Sequence, residues 1–265
     1  MAQHPFITGR WLQANHLQEN ENWHIARNQQ NEVTSFGYVP NNQIKSIFLG
    51  TFPIYEISEG ENQGNLEFFY GSCENKFWPT LNNLFQQPIN TVQQRIELLN
   101  NLEIGISDIL LEIERIQPRL SNDKNLRELR YNDILELIEK FPTIKNIFIT
   151  SGGKNAIPNL NANNKSSGTW LKNSISHFNP TGFNNVGYVK VITVNGIKFN
   201  LIYLCSPSNN ANVAIQGILN SNHNFGLQNL DINLFRQYQW KYFIDIYHRG
   251  VIPDIPNQLV EFFVN

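Results

Sequence analysis

The sequence predicts an α/β domain built on a mainly parallel sheet. Short apolar runs closed by glycine or proline alternate with segments of helical spacing, the pattern expected of strand–helix–strand units. The chain of 265 residues is long enough for one large core, and it shows no internal repeat and no linker that would divide it.

The elements follow in order. Residues 1–43 are polar and rich in Asn and Gln, with isolated Trp11, Phe36 and Tyr38, and are expected to form an irregular extension packed loosely on the domain. "IKSIFLGT" (Ile44–Thr51) is the first strong strand signal, an apolar run closed by Gly50 and Pro53. A polar loop, "YEISEGENQGN", precedes two segments of helical spacing, "NKFWPTLNNLF" and "VQQRIELLNNL". "IGISDIL" (Ile104–Leu110) fits a short strand or a turn leading into a helix. "YNDILELIEKF" (Tyr131–Phe141) places Ile134, Leu135, Leu137, Ile138 and Phe141 on one helical stripe, and "IKNIFITSGG" (Ile144–Gly153) is a buried strand ending in two glycines. "GTWLKNSISHF" has helical spacing. "GYVKVITVNGIKFNLIYLCSPS" is a hairpin with Asn195-Gly196 as its turn, and "LDINLFRQYQWKYFIDIY" is a long helix. The domain is expected over 44–250, with 251–265 as a tail packed on it.

Composition narrows the function classes. No run of eighteen apolar residues exists, so no membrane-spanning helix is expected, and "MAQHPFITGRW" lacks the basic-then-apolar order of a signal peptide. Cys73 and Cys205 are too few for a disulfide framework or a four-thiolate metal site, and a reducing, cytoplasmic setting is expected. The net charge of −2 hides an asymmetry. From Lys140 to Leu230 there is no Asp or Glu, and seven lysines give +7 against −9 for the remainder. That distribution points to a basic face on an acidic body, the footprint of a polyanionic partner.

In open α/β sheets ligands bind at the carboxyl ends of the strands. "GTFP", "SGGK" and "CSPSNNAN" end three strand signals with small or polar residues. "FFYGSCENKFWPTL" (Phe68–Leu81) sets a Gly-Ser-Cys break and Asn75 between two aromatic pairs, which suits a pocket wall. Such a pocket suits a flat polar heterocycle, held by stacking and edge hydrogen bonds. Asn75 also stands where it would cap the helix that follows.

Five segments, taken together and in order, resemble the uracil-DNA glycosylase superfamily, within it the mismatch-specific and hypoxanthine-DNA glycosylase branches. They are "IFLGTFP", "FFYGSCENKFW", "IGISDILLEIER", "YNDILELIEKFPTIKNIFITSGGKNA" and "LCSPSNNAN", spread over roughly Ile44 to Tyr247. The resemblance implies a three-layer α/β/α sandwich around a central, mainly parallel four-stranded sheet. It also implies a monofunctional DNA glycosylase, a hydrolase of N-glycosyl bonds that needs no cofactor and no metal.

By the same resemblance, Tyr70 stacks on the flipped base and Asn75 is the catalytic residue. Gly50, Thr51, Gly71 and Ser206 line the base, while Lys154 and Ser208 contact DNA and Asn209 and Asn210 form the wedge that fills the vacated stack. Thr51 stands where many relatives carry Asp or Asn and cannot activate water comparably. Ser72 and Cys73 replace a His-Pro pair and, with Gly71, would widen the pocket. Asp108 is expected to be a structural cap. The expected partner is DNA holding a deaminated or modified base, and the protein a monomer with no membrane role. Two alternatives stand beside repair. One is a glycosylase for bulky, for example glucosylated, cytosine of phage DNA acting in antiviral defence; the other is a non-catalytic reader of modified bases.

Overall fold

Strand β4 (Ser46–Gly50) is buried at every position, and so are β5 (Ile104–Asp108) and β8 (Asn146–Ile149). Continuous apolar runs of this kind belong to parallel strands covered on both faces. In the computed structural model, which describes residues 1–61, 64–117, 119–120, 125–150, 184–186 and 188–264, β4 pairs in parallel with β5 and β8, and β8 in parallel with β11 (Ile197–Tyr203).

The two faces differ in character. Along β4, Phe48 enters an aromatic core, while Ile47 and Leu49 enter an aliphatic one, as the alternation of a strand requires. Helices α3 (Phe77–Phe85) and α7 (Ile232–Phe243) cover the aromatic side, where Phe48 meets Phe77 at 5.1 Å and Trp240 at 5.9 Å between ring centroids. Helix α5 (Ile134–Lys140) covers the other side with Ile134, Leu137 and Ile138, capped by Asp133, which accepts the Glu136 amide.

Four parallel strands are not the whole sheet, and this corrects the expected four-stranded arrangement. It has eight strands of mixed direction, in the order β2 (Trp23–Arg27), β3 (Val33–Tyr38), β5, β4, β8, β11, β10 (Val189–Val194) and β9 (Asn184–Val186). On one edge, β2 and β3 add antiparallel. On the other, β10 and β9 do the same. The turn joining β10 to β11 has Asn195 and Gly196 both left-handed (φ 49° and 79°), the geometry that matches the twist of a two-residue hairpin.

Residues 1–43 are likewise not irregular. They supply β1 (Ala2–Gln3), the short helix α1 (Arg10–Ala14), β2 and β3. The isolated aromatics explain why: Phe6, Trp11 and Phe36 are fully buried, and Phe6 stacks on Trp23 with centroids 3.7 Å apart. Each large ring taken from water contributes about 2–3 kcal/mol, so a polar segment with four such rings docks firmly. β1 pairs with β6 (Leu110–Arg115), which with β7 (Leu126–Tyr131) forms a second, three-stranded sheet. "IGISDIL" therefore leads from a strand into a strand. At the other terminus, α8 (Asn257–Val264) buries Phe262 and Phe263 against Phe235 and Tyr188. "GTWLKNSISHF" lies outside the described residues.

One buried side chain ties the edge strands to the tip of β5. Asn132 accepts the Phe36 amide at 3.0 Å and donates to the Phe36 carbonyl, the Ser107 hydroxyl and the Asp108 carbonyl at 3.1, 2.8 and 2.7 Å. Asn132→Ala removes the side-chain acceptor of the Phe36 amide and the donor to β5, while the Phe36 carbonyl keeps the Ser107 hydroxyl at 2.7 Å, so the cost is about 2 kcal/mol. A urea titration should show a lower midpoint with an unchanged slope.

Candidate active site at the strand tips

Gly50, Asp108 and Thr150 end or follow three neighbouring parallel strands. Gly50 pairs with Asp108 across the β4–β5 ladder, and Thr150 follows Ile149 at the end of β8. Tyr70 lies over this row. Its hydroxyl meets the Thr150 hydroxyl at 2.6 Å, and its ring stacks on Phe77 with centroids 4.0 Å apart and planes 2° from parallel. A Cβ on Gly50 would overlap both the Tyr70 hydroxyl and Asp108 Oδ1. Only glycine lets these two groups share the space above the strand end.

The loop bearing Tyr70 is tightly folded. Leu66 donates its amide to the Gly71 carbonyl at 2.8 Å, and any side chain on Gly71 would strike the Leu66 and Phe68 carbonyls. Gly71 is thus required by backbone crowding within its own loop, not by room for a base. Phe68 and Phe69 are buried, and Trp78 donates its indole N–H to the Phe69 carbonyl at 2.8 Å. Cys73 is exposed, and its amide donates to Asn65. Tyr70 itself is left-handed, with φ 50°, a conformation uncommon for aromatic residues outside constrained sites.

Asn75 is half-buried and accepts the Phe77 amide through Oδ1 at 2.8 Å. The expected capping role is not met, since Lys76 is the N-cap residue of α3 and the helix has no side-chain cap bond; the Asn75 bond instead closes a two-residue turn before the helix, and its Nδ2 has no partner among the described residues. The next residue joins two motifs far apart in the chain, since the Lys76 amide donates to the Pro207 carbonyl, 131 positions on, at 2.9 Å. The loop from Cys205 to Asn212 is held from beneath by Arg236, fully buried, which donates to the Ser206 carbonyl at 3.1 Å and to Asn212 and Asn233 at 2.8 Å each. Gln239 accepts the Cys205 amide, and Trp240 donates to the Cys205 carbonyl. Burial pushes the Cys205 thiol up to about 12, which leaves it no role as a nucleophile near neutrality.

Ser206 and Ser208 are half-buried, with the Ser208 amide donating to the Ser206 hydroxyl. Asn209 and Asn210 are exposed in a single 3-10 turn that enters α6 (Asn212–Ser221), and Val213 beside them is 82 % exposed. Thr51 is half-buried next to Gly50, and its carbonyl accepts the Leu110 amide. Lys154 lies outside the described residues. Of the seven lysines in the acid-free stretch, Lys145 and Lys198 stand at the amino ends of β8 and β11, opposite the tips, Lys140 bonds to His24, and Lys190 is buried. The basic-face expectation is not met by these four.

One part of the site escaped sequence reasoning. His4 is fully buried and donates through Nε2 to Asp108 Oδ2 at 3.0 Å, while its Nδ1 accepts the Phe6 amide at 3.2 Å. The Phe6 bond fixes the tautomer, because a nitrogen that accepts cannot carry the proton. Burial holds the imidazole below its ordinary range, against the opposing pull of the Asp108 carboxylate. The signal available in the sequence was a carboxylate closing a strand. Its partner sits 104 residues away, so no local pattern connects them.

No family model matches the chain, and no curated protein matches it. Among solved structures, the chain is similar to a solution NMR structure from Methanosarcina acetivorans provisionally described as a uracil DNA glycosylase. The likeness has 20% sequence identity, covers 44% of this chain and 67% of that one, and has a TM-score of 0.34. A likeness this distant assigns no activity, so the functional reading rests on the site. No helix among the described residues is long and apolar enough to cross a membrane.

Protonating His4 would turn Nδ1 from acceptor to donor against the Phe6 amide. The folded state thus resists a proton that the unfolded chain takes near pH 6.5, and the stability is complete above that value and lost as pH falls below it. His24, lowered to about 4 by burial and by Lys140, acts in the same direction. Denaturant midpoints should fall from pH 7 to pH 5, and less steeply in His4→Gln.

Proposed function

We propose that this chain is a monofunctional DNA glycosylase that takes a deaminated base out of the duplex and hydrolyses its N-glycosidic bond. The observation that supports this reading is the convergence at one end of the sheet of an aromatic ring, a carboxamide and two polar loops. Those loops are joined directly by the Lys76–Pro207 hydrogen bond. An enzyme that reacts at a base must take it from the stack, at a cost of a few kcal/mol, and repay that cost by stacking and edge contacts. Tyr70 supplies the stacking face. The Asn75 carboxamide, its oxygen turned to the Phe77 amide, offers Nδ2 to the negative charge that develops on the departing base.

Asn209, Asn210 and Val213 project at the lip of the same loop. We assign them to the gap left by the extruded nucleotide, with Val213 as the apolar member that the Asn pair lacks. Gly71 lends no support to a widened pocket, since its missing side chain makes way for the Leu66 backbone. This favours a compact deaminated base, uracil or hypoxanthine, over a bulky glucosylated cytosine.

The test is alkaline cleavage of labelled duplexes carrying uracil, hypoxanthine, a thymine mispair or glucosylated cytosine. Wild type should leave abasic sites at a deaminated base, and Tyr70→Ala should lower the single-turnover rate about 100-fold through lost positioning. Binding without abasic product at any enzyme concentration would overturn the reading in favour of a reader of modified bases.

A further inference from the structure

The glycosylase reading leaves the hydrolytic water without a partner. Thr51 has no acidic group, and Asn75 is an amide, whose oxygen accepts the Phe77 N–H but cannot take a proton from water. A carboxylate nevertheless stands at the strand tips. Resting on that reading, we propose that Asp108 is the catalytic carboxylate of the site and that His4 is the residue that positions it.

Four observations carry this. First, Asp108 Oδ1 lies over the bare Cα of Gly50 beside the Tyr70 hydroxyl, so it belongs to the row of groups a seated base would meet. Second, the two carboxylate oxygens are treated differently. Oδ2 accepts from His4, whereas Oδ1 accepts no hydrogen bond among the described residues, although the side chain is only 6% exposed. A carboxylate so buried and half-satisfied costs several kcal/mol relative to a neutral side chain. A strand end that needed only a cap would be served better by Asn. Third, His4 is immobilised. Its ring centroid lies 4.5 Å from that of Phe36 and 5.1, 5.3 and 5.7 Å from those of Trp11, Phe52 and Phe69, and the Phe6 amide fixes its tautomer. An imidazole packed in this way aims Oδ1 rather than merely neutralising Oδ2. Fourth, the backbone carbonyl of Asp108 is held by Asn132 at 2.7 Å, so the tip carrying the carboxylate is rigid.

The step balances without any other reactant. The bond between the sugar C1′ and the base nitrogen breaks, and its electron pair leaves with the base, whose charge the Asn75 amide stabilises. A water oxygen bonds to C1′, and one water proton passes to Asp108 Oδ1. That proton then returns to the expelled base anion, so water has added across the glycosidic bond and the carboxylate is restored. Before the water attacks, the same charge stabilises the cationic sugar.

Asp108→Asn separates this role from a structural one, because its carboxamide oxygen still accepts the His4 N–H and keeps the N-terminal segment tied to β5. On whichever duplex wild type cleaves, the variant should lose about 10³-fold in single-turnover rate, with duplex affinity and melting temperature retained. A rate within tenfold of wild type would overturn the proposal while leaving the glycosylase reading intact. Absence of abasic product from wild type on every duplex would overturn the glycosylase reading, and this proposal with it. His4→Gln gives an independent result should Asp108→Asn fail to fold. It keeps a donor but loses the fixed ring, so kcat should fall about tenfold with KM unchanged. A wild-type kcat would overturn the positioning role.

Discussion

Strands buried on both faces have nowhere to present polar chemistry except at their ends. β5, β4, β8 and β11 lie between an aromatic core and an aliphatic one. A hydroxyl or carboxylate along their length would have to be fully paired or would cost several kcal/mol. The chain respects this. Ser46 and Asn146, near the amino ends, bond to each other and to the backbone, and Gly50, Asp108 and Thr150 stand at the carboxyl ends. The position of the site is therefore a consequence of how the core is covered.

Coverage also explains the first forty residues. The aromatic face of the sheet and the end of β5 would be open without Phe6, Trp11, Trp23 and Phe36. The segment that brings those rings also brings His4, so closing the core and reaching Asp108 are one act of packing. Its backbone is held by the His4 amide, which donates to the Leu111 carbonyl at 2.8 Å, and by the β1–β6 pairing. What reads as a polar leader is a wall of the site.

The legibility of these features in the sequence follows their range. β4 and β8 are visible because consecutive apolar residues between breakers have few other uses, and the β10–β11 hairpin because Asn195-Gly196 suits two left-handed residues in succession. The α5 stripe is visible because the helical period is local. β2 and β3 are not, since "WHIAR" and "VTSFGY" have no clean alternation and owe their place to rings buried by distant partners. Gly71 shows a different limit. A glycine marks either empty space or a crowded backbone, and only the Leu66 carbonyl decides between them. Of the candidate site, Tyr70, Asn75 and the Ser206–Asn210 loop are singled out by their motifs, and the fold brings Tyr70 to the strand tips and Lys76 against Pro207. The His4–Asp108 contact is not singled out, because nothing short of the folded chain brings the two together.

The coupling between Asn75 and Tyr70 bears on how the site is to be understood. The left-handed backbone of Tyr70 costs about 1 kcal/mol, and it is sustained by the Leu66–Gly71 clamp behind it, the Thr150 hydroxyl at its tip and Phe77 across one face. Phe77 is the first residue of α3, and its amide is the one that Asn75 accepts. Under the proposed function a base on Tyr70 would have only the face opposite Phe77 to stack on, so the Asn75 bond, the helix start and the Tyr70 ring form one rigid unit. Removing the Asn75 side chain withdraws a hydrogen bond worth about 1 kcal/mol from the start of α3 and loosens that surface at the same time. A fall in rate on truncating Asn75 would thus mix lost charge stabilisation with lost positioning. Asp108 is held by His4 and Asn132 and not by α3, yet its Oδ1 shares the space over Gly50 with the Tyr70 hydroxyl and so touches that unit at one point. Losses at Asp108 and at Asn75 should therefore couple through Tyr70 and the shared step, and the double variant should lose less than the product of the two single losses.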